Sequence, residues 1–405
     1  MRILLLTQWF DPEPTFKGLA FARELHKQGF DVEVLTGFPN YPGGKLYPGY
    51  RMRLLQREII DGVSVTRVPL YPNHDQSAIK RVLNYLSFAA SAMVYGVFFA
   101  RRAEVIYAYH PPLTVGMAAA VIRFFRRTPV VYDIQDMWPD TLRATGMLNN
   151  PKALSLVGSV CKAVYRCMDR LVVLSPGFKR LLIERGVPEQ KIDVIYNWCD
   201  EGAIVDSSPG LSHSVLEKKF SVLFAGNMGK AQSLESVLRA AEIVKKVAPA
   251  VSFDFLGGGV EVPRLKALAE STGLSNVSFR DSVPMSQVGP LLRGADVLLV
   301  HLKKDPLFEV TIPSKTPAYM AVGRPILMAV DGDAAHLVRE SHCGRIAASE
   351  DPESIAKAVL EMYALDKSER ENMARRGSDY YEKHLSFSRG VEKFCRVFKA
   401  VAVKA

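Results

Sequence analysis

The 405-residue chain is predicted to be an α/β protein of two domains, each a parallel sheet flanked by helices, facing each other across a cleft. Three observations carry that expectation. Short apolar runs alternate with helical stretches along the chain, the pattern of repeated βαβ units. A polar stretch from Gly202 to Lys219, with Ser207-Ser208-Pro209-Gly210 inside it, divides the pattern in two. The length exceeds what one ordinary core holds and suits two. This places a first domain over 1–200, a linker over 201–219 and a second domain from 220. In such sheets ligands settle outside the carboxyl ends of strands, where strand order reverses, so residues just after each strand carry the functional reading.

In the first domain the expected strands are Arg2-Thr7, Asp31-Thr36, Val63-Val68, Val105-Tyr109, Val130-Ile134, Leu171-Leu174 and Ile192-Tyr196. Helical periodicity marks Leu19-Gln28, stopped by Gly29, and Leu113-Phe125. The opening apolar run is too short for a signal-peptide core and is read as the first strand. The loop after it, Gln8 to Gly18, ends in Lys17 and Gly18, the candidates there for meeting an acceptor. A plain connection into the next helix is the alternative. His110 follows the Val105-Tyr109 strand and precedes two prolines; Gln135 and Asp136 follow the Val130-Ile134 strand. Asp136 is placed to serve as an acid, a base or a hydroxyl acceptor, and Asp140 as the cap of a helix.

Val82 to Ala100 contains no charged residue and lies between Lys80-Arg81 and Arg101-Arg102. A spanning helix needs about 20 apolar residues. Asn84, Ser87, Ser91 and Gly96 interrupt this run, and parallel strands surround it. An apolar helix partly seated in one membrane leaflet is therefore expected, its basic flanks reaching anionic headgroups, with an ordinary buried helix as the alternative.

The second domain starts with the Phe220-Ala225 strand and the turn Gly226-Asn227-Met228-Gly229-Lys230, followed by a helix over Leu234-Val247. Strand, glycine turn and helix is the setting in which backbone approaches a diphosphate. Val251-Leu256 with Gly257-Gly258-Gly259 repeats it, and Val277-Arg280, Val297-His301 and Ile326-Val330 continue the sheet. Asp331-Gly332-Asp333 is read as a turn rather than a metal-binding pair. In the segment Phe308 to Val330, Pro313 is expected in a first helical turn, with Ser314 and Lys315 at a helix N-terminus that favours an anion. A capped surface helix is the alternative there.

The net charge of +10 calls for an acidic partner: nucleic acid, an anionic membrane or a phosphorylated ligand. Nucleic acid is the poorest match, because the basic residues flank apolar runs instead of alternating with aromatics. The five cysteines show no metal spacing and fit free thiols in a reducing compartment.

Together, Thr36-Gly37-Phe38-Pro39-Asn40-Tyr41-Pro42, Tyr132 to Pro139, Ser175-Pro176-Gly177-Phe178, Asn197-Trp198, Gly226 to Gln232 and Pro313-Ser314-Lys315 with Tyr319-Met320-Ala321 resemble the retaining GT-B glycosyltransferases of family four. Within these the chain is most similar to the WbuB-type enzymes of O-antigen and capsule assembly. The resemblance implies two Rossmann-like domains and a helical segment over 381–405 that returns to the first domain. It implies a nucleotide-sugar donor in the second domain, transfer with retention, and neither cofactor nor required metal. The implied acceptor is a saccharide or a lipid-linked (polyprenyl-diphosphate) sugar. The implied location is cytoplasmic, peripheral on the inner face of the cytoplasmic membrane. Lys230, Ser314 and Lys315 would meet the diphosphate of a UDP-sugar, with Gly226 and Asn227 beside it and the base near Gly258 and Arg280. Asp136, Gln135 and His110 would orient the reacting groups. The chain departs from the family pattern at Gln135, where a His is usual, at Asn227, where an Arg is usual, and at Val310 and Ala318, where glutamates are usual; Glu309 stands one residue away. A nucleotide-sugar epimerase and a non-catalytic nucleotide-sugar-binding partner are the rival readings.

Overall fold

A computed structural model describes residues 1–73, 78–204 and 219–403. The first sheet has eight strands: β1 (Arg2–Leu6), β2 (Asp31–Gly37), β3 (Gln56–Ile60), β4 (Val63–Val68), β5 (Val105–Tyr109), β6 (Val130–Ile134), β7 (Arg170–Val173) and β8 (Ile192–Val194). Their order is β3-β4-β2-β1-β5-β6-β7-β8, so the direction of winding reverses between β1 and β5. The second sheet has six: β9 (Phe220–Ala225), β10 (Val251–Leu256), β11 (Val277–Arg280), β12 (Val297–His301), β13 (Ile326–Ala329) and β14 (Gly344–Ile346), ordered β11-β10-β9-β12-β13-β14. It reverses between β9 and β12. All pairings are parallel except β3 with β4. The two-domain α/β expectation holds.

The inner strands are buried on both faces, which is why they read as unbroken apolar runs; all five residues of β5, β6 and β12 are buried. β3 escaped sequence reading. Its Gln-Arg-Glu start and alternating exposure are those of an edge strand, and it turns into β4 through Asp61-Gly62, both at positive φ.

The Val82-Ala100 run falls in a helix, Ala78–Phe98, up to its last two residues. One face packs Phe88, Ala89, Ala92 and Tyr95 into the first core, and Gly96 presses against Ile122 of the helix Leu113–Arg126. The other face leaves Ile79, Val82, Leu83, Leu86, Val94 and Phe98 exposed. No helix among the described residues is long and apolar enough to cross a membrane.

Of the expected linker, residues 205–218 lie outside the described residues. Glu201–Ile204 forms one helical turn. The Glu201 carboxylate accepts the Tyr381 hydroxyl at 2.6 Å and the Phe387 N–H at 2.8 Å, and so ties the joint to the end of the chain. There two helices meet at Leu385-Ser386. Lys367–His384 packs on the second domain, with Gly377 against Cys343. Phe387–Ala402 lays Val391, Phe394, Phe398 and Val401 into the first domain's core with Phe21 and Tyr107.

Candidate active site

The carboxyl edges of the two sheets face each other, and their contacts are specific. Ser175, which caps the helix Pro176–Glu184, also donates to the Val310 carbonyl. Asp333 accepts the Gly177 N–H at 2.5 Å and pairs with Arg180 at 2.9 Å. Lys303 donates to the Ala144 carbonyl at 3.0 Å. Asp331-Gly332-Asp333 is thus a turn: Gly332 has φ +76°, its Cα faces the Glu309 carbonyl too closely for a side chain, and Asp333 opens the helix Asp333–Ser341.

On the second domain's edge three loops interlock through bare backbone. Gly226, Gly257 and Gly259 all have positive φ. A Cβ on Gly257 would lie 2.1 Å from the Gly226 oxygen, and one on Gly259 would lie 2.3 Å from that of Met228. The Gly258 carbonyl accepts the Met228 N–H at 2.7 Å, and the Gly257 N–H donates to the Arg280 carbonyl at 3.0 Å. Asn227 turns back on Gln232, while the Lys230 side chain is exposed at the start of a short 3-10 turn.

Lys315 closes this cradle from the other side of the strand reversal. It is the first residue of the helix Lys315–Val322, whose Tyr319 hydroxyl bridges the N–H and carbonyl of Ala225. The Lys315 stem runs beside Gly226, where an added Cβ would meet its Cε at 3.0 Å. Its Nζ sits 3.3 Å from the centroid of the Phe224 ring and is buried without a hydrogen-bond partner. Burial pushes the ammonium down to about 7. The neighbouring Thr316 hydroxyl is buried and unpartnered as well. Helix formation begins later than expected: Pro313 precedes it, and Ser314 is an exposed N-cap position whose side chain makes no capping bond. Glu309 is exposed at the end of a separate turn, Pro306–Glu309, and no described hydrogen bond or ion pair joins it to Lys230, Ser314 or Lys315.

On the first domain's edge the expected roles are redistributed. Lys17 is not a loop residue awaiting a ligand. It is wholly buried, 2.8 Å from Asp133 and 2.9 Å from Asn197 Oδ1, and enclosed by the rings of Tyr109, Trp198 and Phe394. Asp133 also accepts the Tyr107 hydroxyl at 2.6 Å and the Gln135 amide at 2.7 Å, and Gln135 in turn accepts from Asn197 at 2.9 Å. Gln135 is therefore held within a buried polar network. Gly18 is required by a close approach: Asp11 accepts the Leu19 N–H at 2.6 Å, and a Cβ on Gly18 would sit 2.2 Å from that same oxygen.

His110 is buried edge-on against Tyr132 and Trp138, with its Nδ1 unpartnered. Burial pushes it down to about 3, so the imidazole is neutral at working pH. Asp136 keeps a carboxyl that burial pushes upward, and no described hydrogen bond occupies it. Asp140 does not cap: Pro139 holds that position, and Asp140 sits in the first turn as the ion-pair partner of Arg185.

Comparison with known proteins decides what this cleft belongs to. Residues 19–198 match the glycosyl transferase 4-like domain family, and residues 219–364 match the glycosyl transferases group 1 family. This chain is a glycosyltransferase built of those two domains. The two matches take in every strand of the two sheets except β1. It is 26% identical to the probable glycosyltransferase WbjE of Pseudomonas aeruginosa, over 66% of this chain and 68% of that protein. It is 27% identical to the colanic acid biosynthesis glycosyl transferase WcaI of Escherichia coli, described as putative, over 80% of this chain and 82% of that one. Sucrose-phosphate synthase from Thermosynechococcus elongatus superposes with a TM-score of 0.74 at 14% identity, covering 100% of each chain. Anabaena HepE in complex with UDP superposes at 0.70 with 15% identity, over 99% of this chain and 100% of that one. WaaG, a glycosyltransferase of lipopolysaccharide biosynthesis, superposes at 0.65 with 14% identity, over 98% and 99%. The fold of this glycosyltransferase is GT-B.

Several site residues were not singled out from sequence. Asp133 had a signal, a carboxylate inside the buried strand Val-Val-Tyr-Asp-Ile, which demands a partner. Phe224, under Lys315, had none, because it reads as one more core residue of β9. Glu13 had none either. Its buried carboxylate accepts the N–H groups of Phe10, Asn40 and Tyr41, and burial pushes it up to about 7.

Proposed function

We propose that this glycosyltransferase transfers a sugar from a UDP-sugar to a lipid-linked saccharide acceptor, with retention, in surface-polysaccharide assembly. The observation that carries the donor half is the enclosed, unpartnered Lys315 ammonium beside the bare backbone of Gly226, where the second sheet reverses. A buried cation without a counter-ion is costly. A diphosphate arriving at Gly226 would supply that counter-ion, aided by Lys230 on the same loop and by the N-terminus of the helix that Lys315 begins. As the sugar–phosphate bond breaks, charge grows on the leaving phosphate and the lysines stabilise it more than the ground state. Two lysines on one diphosphate supply the charge for which other enzymes use a metal, so the reaction is assigned as metal-independent. Attack from the front face, with the leaving phosphate taking the acceptor's proton, gives retention without a strong side-chain base. Asp136, with its free carboxyl, orients hydroxyls in this scheme; His110 is a neutral donor or acceptor; Gln135 and Asn227 serve by shaping their loops. HepE in complex with UDP has the same fold, and WcaI supports the polysaccharide assignment. The donor sugar assigned is an N-acetylhexosamine such as N-acetyl-L-fucosamine. A panel of UDP-sugars tests this by thermal shift, followed by transfer to lipid-linked acceptors; a true donor raises Tm by mass action, and a panel without any shift contradicts the reading.

Donor binding should depend on pH in a defined direction. With Lys315 near 7 in the free protein, a bound diphosphate raises that value, so binding takes up a proton above pH 7. UDP affinity is expected to fall as pH rises from 7 to 9, by up to about tenfold per unit. Calorimetric titration at three pH values checks it; in Lys315→Met that component of the slope disappears.

The same reading places the protein on the inner face of the cytoplasmic membrane. The helix Ala78–Phe98 exposes an apolar stripe, and Phe98, Phe99, Phe124 and Phe125 extend it where the two helices end, near Arg101, Arg102 and Arg127. That combination suits an anionic bilayer surface. The protein is expected to float with phosphatidylglycerol liposomes at low salt and less so at high salt. Leu83→Glu with Leu86→Glu should keep it in the bottom fraction; flotation unaffected by that change contradicts this placement.

A further inference from the structure

Three aromatic rings from three separate segments meet at the carboxyl edge of the first sheet, on the side where strand order reverses. Trp9 follows β1, Tyr41 follows β2, and Tyr85 lies in the helix Ala78–Phe98. The Trp9 and Tyr41 rings stack with centroids 4.5 Å apart at 28°, and Tyr85 meets Trp9 edge-on at 6.4 Å. All three are half-buried, so each keeps surface open to a ligand.

What lies beneath them is built rather than incidental. The Glu13 carboxylate ties the backbone of Phe10 to that of Asn40 and Tyr41. The Gln8 amide donates to Asn84 Oδ1, and Asn84 donates to Asn40 Oδ1 and to the Tyr71 carbonyl. Gln8, Glu13, Asn40 and Asn84 are all buried, and Gln8 Oε1 is left without a partner. Burying four polar side chains is costly unless they are hydrogen-bonded, and these bond to one another and to backbone. Here they fix the relative placement of the three rings.

The surroundings set the ligand's chemistry. Burial pushes the Tyr85 hydroxyl up, and Arg81, one turn earlier on the same helix, opposes that shift as the cation beside the shelf. Val82, Leu83 and Leu86, on the next turns of the same helix, are exposed. One patch thus joins flat aromatic surface, a positive charge and exposed hydrocarbon. Aromatic faces take the C–H face of a sugar ring, the cation takes a phosphate, and the stripe takes an alkyl chain.

We propose that Trp9, Tyr41 and Tyr85 form the subsite for the head of an isoprenoid-diphosphate-linked saccharide acceptor, an inference that rests on the lipid-linked-acceptor reading above. The site replaces Lys17, which is locked in its ion pair, as the first loop's contact with the acceptor. It also orders the acceptor: sugar toward the cleft and chain along the exposed helix.

The test uses farnesyl-diphosphate-linked N-acetylglucosamine as a soluble probe. The full-length protein and its Trp9→Ala, Trp9→Phe and Tyr85→Ala variants are titrated with it and, separately, with UDP, after circular dichroism confirms folding. Trp9→Ala and Tyr85→Ala are expected to weaken probe binding about tenfold or more, with Trp9→Phe within about threefold of wild type and UDP affinity unchanged throughout. Failure of the wild type to bind the probe, or wild-type affinity in Tyr85→Ala, overturns the subsite. Failure of the wild type to bind UDP counts against the donor assignment instead, and the two titrations are read independently.

Discussion

Replacing Lys315 with methionine is expected to lower turnover about a hundredfold or more, with the protein still folded. Methionine keeps an apolar stem out to Cε and removes the ammonium that lies over the Phe224 ring. Losing one fixed donor from a developing anion costs about 3 kcal/mol of transition-state stabilisation, which is the stated factor in rate. Stability should move the other way. The wild type keeps a buried ammonium without a counter-ion, and a neutral isostere removes that burden, so Tm should hold or rise. Steady-state kinetics with a saturating donor and a melting curve, run on the same preparation, check both signs. A variant that is inactive and unfolded would say that Lys315 is structural; one that is folded and fully active would say that the diphosphate lies elsewhere.

The second large effect concerns the ion pair under the first domain's edge. Lys17→Met alone leaves Asp133 charged and buried, and Asp133→Asn alone leaves Lys17 so; both side chains are wholly enclosed. Breaking one side of such a pair typically costs about 3–5 kcal/mol. For a two-domain chain of this size that is a fall in Tm of roughly 10 °C for the first domain's transition. The double variant should be less damaged than the sum of the singles, because it leaves no uncompensated charge. Differential scanning calorimetry of the three variants measures it. Equal, small effects would show that the network is solvated. A loss beyond stability is expected as well, since Asp133 holds Gln135 and Asn197, and Gln135 adjoins Asp136.

The sheets were legible because parallel strands are buried on both faces and leave continuous apolar runs. β5, β6 and β12, buried at every residue, have the very bounds their runs suggest. β3 was not legible, since an exposed edge strand carries charge by necessity. Proximity at the second domain's edge was legible in part. A strand followed by Gly226 announces backbone laid bare, and Pro-Ser-Lys announces a cation at a helix start. That the two touch, with Phe224 between them and the core, depends on strand order, which local pattern does not encode. Charges that pair across the fold were illegible for the same reason. Lys17 in a loop looks available, and only the return of the terminal helix, bringing Phe394 against it, shows that it is sealed. Asp140 looked like a cap because Asp commonly is one; its partner Arg185 lies three elements further on, at the end of the helix Pro176–Glu184. The Val82-Ala100 run reads as an uncharged stretch broken by Asn84, Ser87, Ser91 and Gly96, and only the structure shows which of its residues form a packed face and which an open one.

The central claim is that a nucleotide diphosphate binds against Lys315 at the mouth of the second sheet. Calorimetric titration of UDP into the wild type and into Lys315→Met at pH 6.5 tests it most directly. The account predicts saturable binding to the wild type and a loss of about tenfold or more in the variant, both proteins melting as folded. Equal UDP affinity in the two, or no binding to the wild type, would contradict it.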